Sequence, residues 1–78
     1  MKINDNKMTL KQYMELPIVI VGKVCIYPPA RPGENIIQAF ERREHFNDIH
    51  DEEIKRYQDC YITQIFTKDD EICFILWR

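Results

Sequence analysis

Glycine is scarce in this chain of 78 residues: there are two, Gly22 and Gly33, well separated along the sequence. No glycine-rich phosphate loop can be built from them, which excludes the common nucleotide-binding enzyme classes. Long apolar runs are also missing. The longest uncharged apolar stretch, residues 16–22, falls far short of the roughly 20 residues that span a bilayer. Residues 1–6 lack the apolar segment of a signal peptide, so a cytoplasmic protein with no membrane partner is expected. Neither charge sign dominates: 11 Lys and Arg stand against 13 Asp and Glu, and no basic block is set apart from acids. The electrostatic footprint of a nucleic-acid binder is therefore absent, and no direct nucleic-acid contact is expected. Cysteine is sparse and unpaired in spacing. Cys25, Cys60 and Cys73 each sit in an apolar run, where Cys behaves as a small hydrophobe, and we read them as reduced core residues.

What is present is globular: 45% apolar residues and 31% charged lie well away from the disordered composition. The length suits one domain with a modest core, residues 1–8 forming a loose tail. Thr9-Leu10-Lys11-Gln12 has the form of a capping box. The short helix it opens puts Leu10, Tyr13 and Met14 on one face and must stop before Pro17. Residues 18–27 are rich in β-branched side chains and apolar on both parities, the pattern of a central strand. Gly22 within that run suggests a bulge or a close backbone approach. Pro28, Pro29 and Pro32 with Gly33 then form a stiff reversing loop.

Residues 35–43 read two ways. Ile36, Ile37 and Phe40 fit a helix face, whereas the β-branched pair and the hairpin context fit a returning strand, which is the reading we take. In Asp51-Glu52-Glu53-Ile54-Lys55-Arg56-Tyr57, acids precede bases as a helix dipole favours, with Asp48 or Asp51 as cap. Two last strands, residues 60–67 and Glu71–Trp77, flank a tight polar turn. The second is apolar on both parities and needs cover on both sides. The expected fold is α+β: a small antiparallel four-stranded sheet with two short helices, in the order αββαββ.

That order, with Met8-Thr9-Leu10-Lys11-Gln12-Tyr13 in front and Asp48-Ile49-His50-Asp51-Glu52-Glu53-Ile54, Tyr57-Gln58-Asp59 and Phe74-Ile75-Leu76-Trp77 behind, resembles a type of short protein common in phages and mobile elements of low-GC Gram-positive bacteria. The resemblance implies an accessory factor, such as a stoichiometric inhibitor of a host defence system of the anti-CRISPR kind.

Catalytic signals are weak. His45 and His50 lie among Glu44, Asp48, Asp51 and Glu52, but a zinc or manganese site needs three or four groups to converge, and a solvated charged segment accounts for the cluster. No metal or other cofactor is expected. Glu53-Ile54-Lys55 has the acid-x-Lys form of metal-dependent nucleases, yet it falls in a helix instead of a strand. Cys60, the best-placed thiol, has no histidine fixed beside it. Pro29-Ala30-Arg31-Pro32 has a P-x-x-P form with an internal Arg, whose plainer reading is a rigid connector.

Four short strands and two short helices leave apolar surface for a partner, either a second copy or another protein. A non-enzymatic binding protein is therefore the leading reading: an accessory inhibitor that binds and blocks a host protein, a CRISPR effector among the options. Residues 41–59, with seven acids against four bases, offer partial phosphate mimicry. Contact residues are expected among Tyr27, Arg31, Glu52, Glu53, Arg56, Tyr57, Asp59 and Trp77. The alternative is an oligomeric sponge for a nucleotide signal, using Tyr27, Arg31, Arg56 or Tyr57 to stack and pair. A small metal-dependent nuclease or hydrolase comes third.

Overall fold

A computed structural model describes residues 8–17 and 21–78. The capping box forms as the sequence implies. Thr9 Oγ1 accepts from the Gln12 amide at 3.1 Å, and Gln12 Oε1 accepts from the Thr9 amide at 2.9 Å. These bonds satisfy two of the amides a helix start leaves unpaired, and helix α1 runs over Leu10–Met14. Its Leu10 is fully buried, with Tyr13 and Met14 packed against the same core. Met8, assigned from sequence to a loose tail, is tied down: its carbonyl accepts from the Ile62 amide at 2.8 Å. The rest of that tail, residues 1–7, and residues 18–20 of the expected first strand lie outside the described residues.

Strand β1 covers Val24–Tyr27. Gly22 precedes it at φ +116, a conformation L side chains rarely adopt, and nothing lies within 4 Å of where its Cβ would stand. Of the two readings from sequence, a bulge within the strand or a close backbone approach, neither holds: Gly22 lies before the strand, and glycine is needed there for backbone geometry.

The expected strand over residues 35–43 is instead helix α2, Ile36–Glu41, followed by a three-residue strand β2, Glu44–Phe46. The reason is a second capping box. Asn35 Oδ1 accepts from the Gln38 amide at 2.8 Å and Gln38 Oε1 accepts from the Asn35 amide at 3.0 Å. The helix expected near Asp51 is a 3₁₀ helix, Glu52–Tyr57, with Asp51 as its cap. Strands β3, Tyr61–Lys68, and β4, Glu71–Trp77, form the expected hairpin. Its two-residue turn holds Asp69 and Asp70 at φ 53 and 64, the left-handed geometry of a primed hairpin turn.

The class is α+β with a four-stranded sheet, in spatial order β2-β1-β4-β3. It is mixed, not antiparallel throughout as expected: β1 and β4 run parallel, Cys25 beside Cys73, while β1–β2 and β3–β4 are antiparallel. Both parallel strands are interior, and both read as unbroken apolar runs, as strands covered on two faces do.

Alternation along the strands separates two faces. Val24, Ile26, Phe46, Phe74 and Leu76 join Leu10, Ile49, Ile54 and Cys60 in one buried cluster, covered by α1 and the 3₁₀ helix. The opposite face carries Cys25, Tyr27, His45, Phe66 and Cys73. A bulge at Thr63, whose hydroxyl donates to the Ile75 carbonyl at 3.0 Å, resets the parity of β3. Ile62 and Phe74's partner Ile65 thus share a face. Among the described residues no helix is long and apolar enough to cross a membrane.

Candidate functional site: an arginine-lined cleft

Glu34 organises the loop that leaves β1. Its carboxylate receives a two-pronged contact from Arg42, Nε to Oε2 at 2.8 Å and Nη2 to Oε1 at 2.6 Å, and Oε1 also accepts from the Arg31 amide at 2.8 Å. Arg42 Nη2 donates in addition to the Pro29 carbonyl at 3.0 Å. These bonds, above all the Arg42 pair, hold the Glu34 carboxyl at about 2, well below the usual carboxylate range. The loop is thereby stapled to the end of α2. Pro28 and Pro29 are buried, Ala30 is half-buried, and Arg31, Pro32 and Gly33 are exposed, so Pro28 and Pro29 build a wall and no continuous polyproline ridge is presented.

That wall faces the end of β4 and the 3₁₀ helix across a cleft of about 740 Å³, lined by residues 28–32 together with Arg42, Arg56, Tyr57, Trp77 and Arg78. The cleft lies past the carboxyl ends of β1 and β4, the two parallel strands, where open sheets with parallel strands tend to bind ligands. Four arginines line it. Arg42 is neutralised by Glu34 and Arg56 by Glu44, which also accepts from the Tyr57 hydroxyl. Among the described residues neither Arg31 nor Arg78 is ion-paired. The Arg56 guanidinium stands over the Tyr57 ring at 5.1 Å, a cation–π contact that holds both side chains in place. Burial, then the Glu44 carboxylate, push the Tyr57 phenol up, so it stays a neutral donor. Trp77 leaves 57% of its surface exposed at the rim.

The contact residues named from sequence divide. Arg31, Arg56, Tyr57 and Trp77 converge on the cleft. Tyr27 does not: its ring packs edge-on against Phe40 at 5.0 Å and tilted against Phe66 at 5.9 Å. Glu52, Glu53 and Asp59 are exposed and do not line the cleft, and Glu52 is paired with Lys55 at 2.9 Å. Sequence reasoning missed Arg42 and Arg78. A signal for Arg42 exists, since Glu34 and Arg42 bracket the six-residue helix α2, but reading that helix as a strand hides it.

Of the other candidates, Cys60 is enclosed in the apolar cluster, where burial pushes its thiol up although Arg78 pulls the other way. The Glu53–Lys55 triplet lies in the 3₁₀ helix with Ile54 fully buried between its charges. His45 turns away from the neighbouring acids 48–52: its Nδ1 lies 2.8 Å and 3.0 Å from the two oxygens of Glu71. With Cys25 these form the group of possible metal-binding side chains found among the described residues. No known protein family, curated protein or solved structure matches the chain.

Proposed function

We propose that this chain is a small binding protein that captures an anionic ligand with a flat ring, a nucleotide or nucleotide-like phosphate, in the arginine-lined cleft. The observation that carries the reading is the placement of Arg31 and Arg78, whose guanidinium groups enter no ion pair among the described residues, around the same opening as the exposed Trp77 ring. Guanidinium groups match phosphate in geometry and charge, and an indole face stacks a base or ring. A volume of about 740 Å³ falls within the ~300–1,000 Å³ common for small-molecule sites. Nothing in the reading calls for catalysis; the protein would act by sequestering its ligand.

The test is a thermal-shift panel of mono-, di- and cyclic nucleotides with inorganic phosphate as control, followed by calorimetric titration. At least one nucleotide should raise the Tm and bind in a salt-sensitive manner. Arg31→Ala should weaken it by about tenfold, the loss of one charge-assisted contact, and Trp77→Ala should weaken nucleotide binding without altering the response to inorganic phosphate. A flat response across the panel overturns the reading.

A second reading, a stoichiometric inhibitor of a host protein such as a CRISPR effector, is favoured by Ile36 and Ile37. They stand 53% and 67% exposed on α2, apolar surface that a protein partner would cover. Co-elution of one host protein, abolished by Ile37→Asp, would favour it over the ligand reading.

A further inference from the structure

The sheet face opposite the core gathers a thiol, an imidazole and a carboxylate from three adjacent strands. Cys25 of β1 is paired with His45 of β2 on one side and with Cys73 of β4 on the other. Glu71 precedes Cys73 by two residues and so shares its face. The sulfur of Cys25, a ring nitrogen of His45 and a carboxylate oxygen of Glu71 all lie within 4.8 Å of one another. The contrast with Cys60 is informative. Cys60 sits in the apolar cluster, as a cysteine used for packing does, whereas Cys25, also buried, lies outside that cluster on the opposite sheet face, beside His45 and Glu71.

We propose that Cys25, His45 and Glu71 form a binding site for one zinc ion. Sulfur, imidazole nitrogen and carboxylate oxygen are the donors zinc accepts in tetrahedral sites, with bonds of about 2.0–2.3 Å. Donors in such a site stand roughly 3.3–3.8 Å apart, so side-chain adjustments of about 1 Å close the triangle while the paired strands keep the backbone fixed. Calcium and magnesium are disfavoured, because they need many oxygen ligands and Glu71 supplies the only oxygen side chain. His45, exposed at the sheet edge, gives the ion a way in. Cys73 borders the site: its Sγ contacts the Glu71 carbonyl at 3.9 Å.

The charges balance. As the zinc–sulfur bond forms, the Cys25 thiol gives up its proton to solvent, His45 binds as the neutral imidazole, and one thiolate with one carboxylate neutralises the dication. Without metal, burial first, with Cys73 and Glu71, pushes that thiol up to about 11. The ion therefore has to displace the proton, as coordinating metals do. Three protein ligands leave a fourth position for water.

Cobalt(II) titrated into the reduced full chain tests the site. One equivalent should produce a near-ultraviolet sulfur-to-cobalt charge-transfer band, bleached by an equivalent of zinc. The band should vanish in Cys25→Ser and persist in Cys60→Ser. His45→Ala and Glu71→Gln, at positions outside the apolar core, should keep the fold by circular dichroism and each lower cobalt affinity at least about tenfold. Absence of the band at one equivalent overturns the proposal, as does a band that neither His45→Ala nor Glu71→Gln weakens.

Discussion

The two faces of the sheet follow different rules. One is a continuous apolar layer in which Val24, Ile26, Phe46, Phe74 and Leu76 meet α1 and the 3₁₀ helix. The other mixes two thiols, an imidazole, a carboxylate and the Tyr27–Phe40–Phe66 aromatic group, with α2 covering part of it. Most of the large buried side chains lie on the first face, whereas the Cys25, His45 and Glu71 group lies on the second.

The largest expected effect tests that asymmetry directly. Phe74 is fully buried beneath α1, its ring meeting Tyr13 edge-on at 5.3 Å. Phe74→Ala should cost about 3–5 kcal/mol, the range for emptying a large core position. Phe66→Ala on the other face removes a partly buried ring and should cost about 1–2 kcal/mol. Chemical denaturation of both variants measures the difference; equal losses would mean that the second face is as much a core as the first.

The paired capping boxes sharpen the comparison. Thr9→Ala and Asn35→Ala each remove an N-cap, worth about 1 kcal/mol. Because α1 carries Leu10 into the core, Thr9→Ala should lower global stability by that amount. Asn35→Ala should fray α2 locally, visible as faster hydrogen exchange in residues 36–41 with a smaller shift in the denaturation midpoint. The same midpoint shift in both would show that α2 is held as tightly as α1.

These boxes also mark where the sequence was legible and where it was not. Thr9-x-x-Gln12 and Asn35-x-x-Gln38 have one form, yet only the first reads as a helix start, because Ile36 and Ile37 suggest β structure and the proline loop suggests a hairpin. Side-chain-to-amide bonds at Asn35 and Gln38 outweigh two β-branched residues, whose cost in a helix is a few tenths of a kcal/mol each. The β3–β4 hairpin was readable, since its turn chemistry and alternation are local. The parallel pairing of β1 with β4 was only half visible. The first reads as a central strand and the last as one needing cover on both faces, but nothing local sets strand direction across some 45 intervening residues. The cleft was legible as residue types, in Arg31, Arg56, Tyr57 and Trp77, without their convergence. Cys25, His45 and Glu71 come from three separate strands, so no spacing could have grouped them.

A smaller effect is expected at the turn joining the two faces' shared strands. Asp69 and Asp70 both occupy left-handed backbone geometry, which costs a side-chain-bearing residue more than glycine. Asp70→Gly should stabilise the fold by about 0.5–1 kcal/mol, read as a raised denaturation midpoint.

The smallest global effect should come from the Glu34–Arg42 pair, because it lies near the surface and is screened. Its local signature is sharp. Glu34 has its pKa lowered from 4.5 to about 2, first by the Arg42 hydrogen bonds and then by the Arg31 amide. A depressed carboxylate contributes stability that is present above its unfolded-state value and lost as pH falls through its folded one. The window for Glu34 therefore runs from about 4.5 down to about 2. Carbon-detected NMR of the Glu34 carboxyl should show a midpoint near 2, returning most of the way to 4.5 in Arg42→Ala. Over the same window the amides of residues 29–34 should lose protection while those of β1 and β4 keep it. A cleft wall that stayed ordered below that midpoint would show that the buried prolines, and not the carboxylate staple, hold the loop in place.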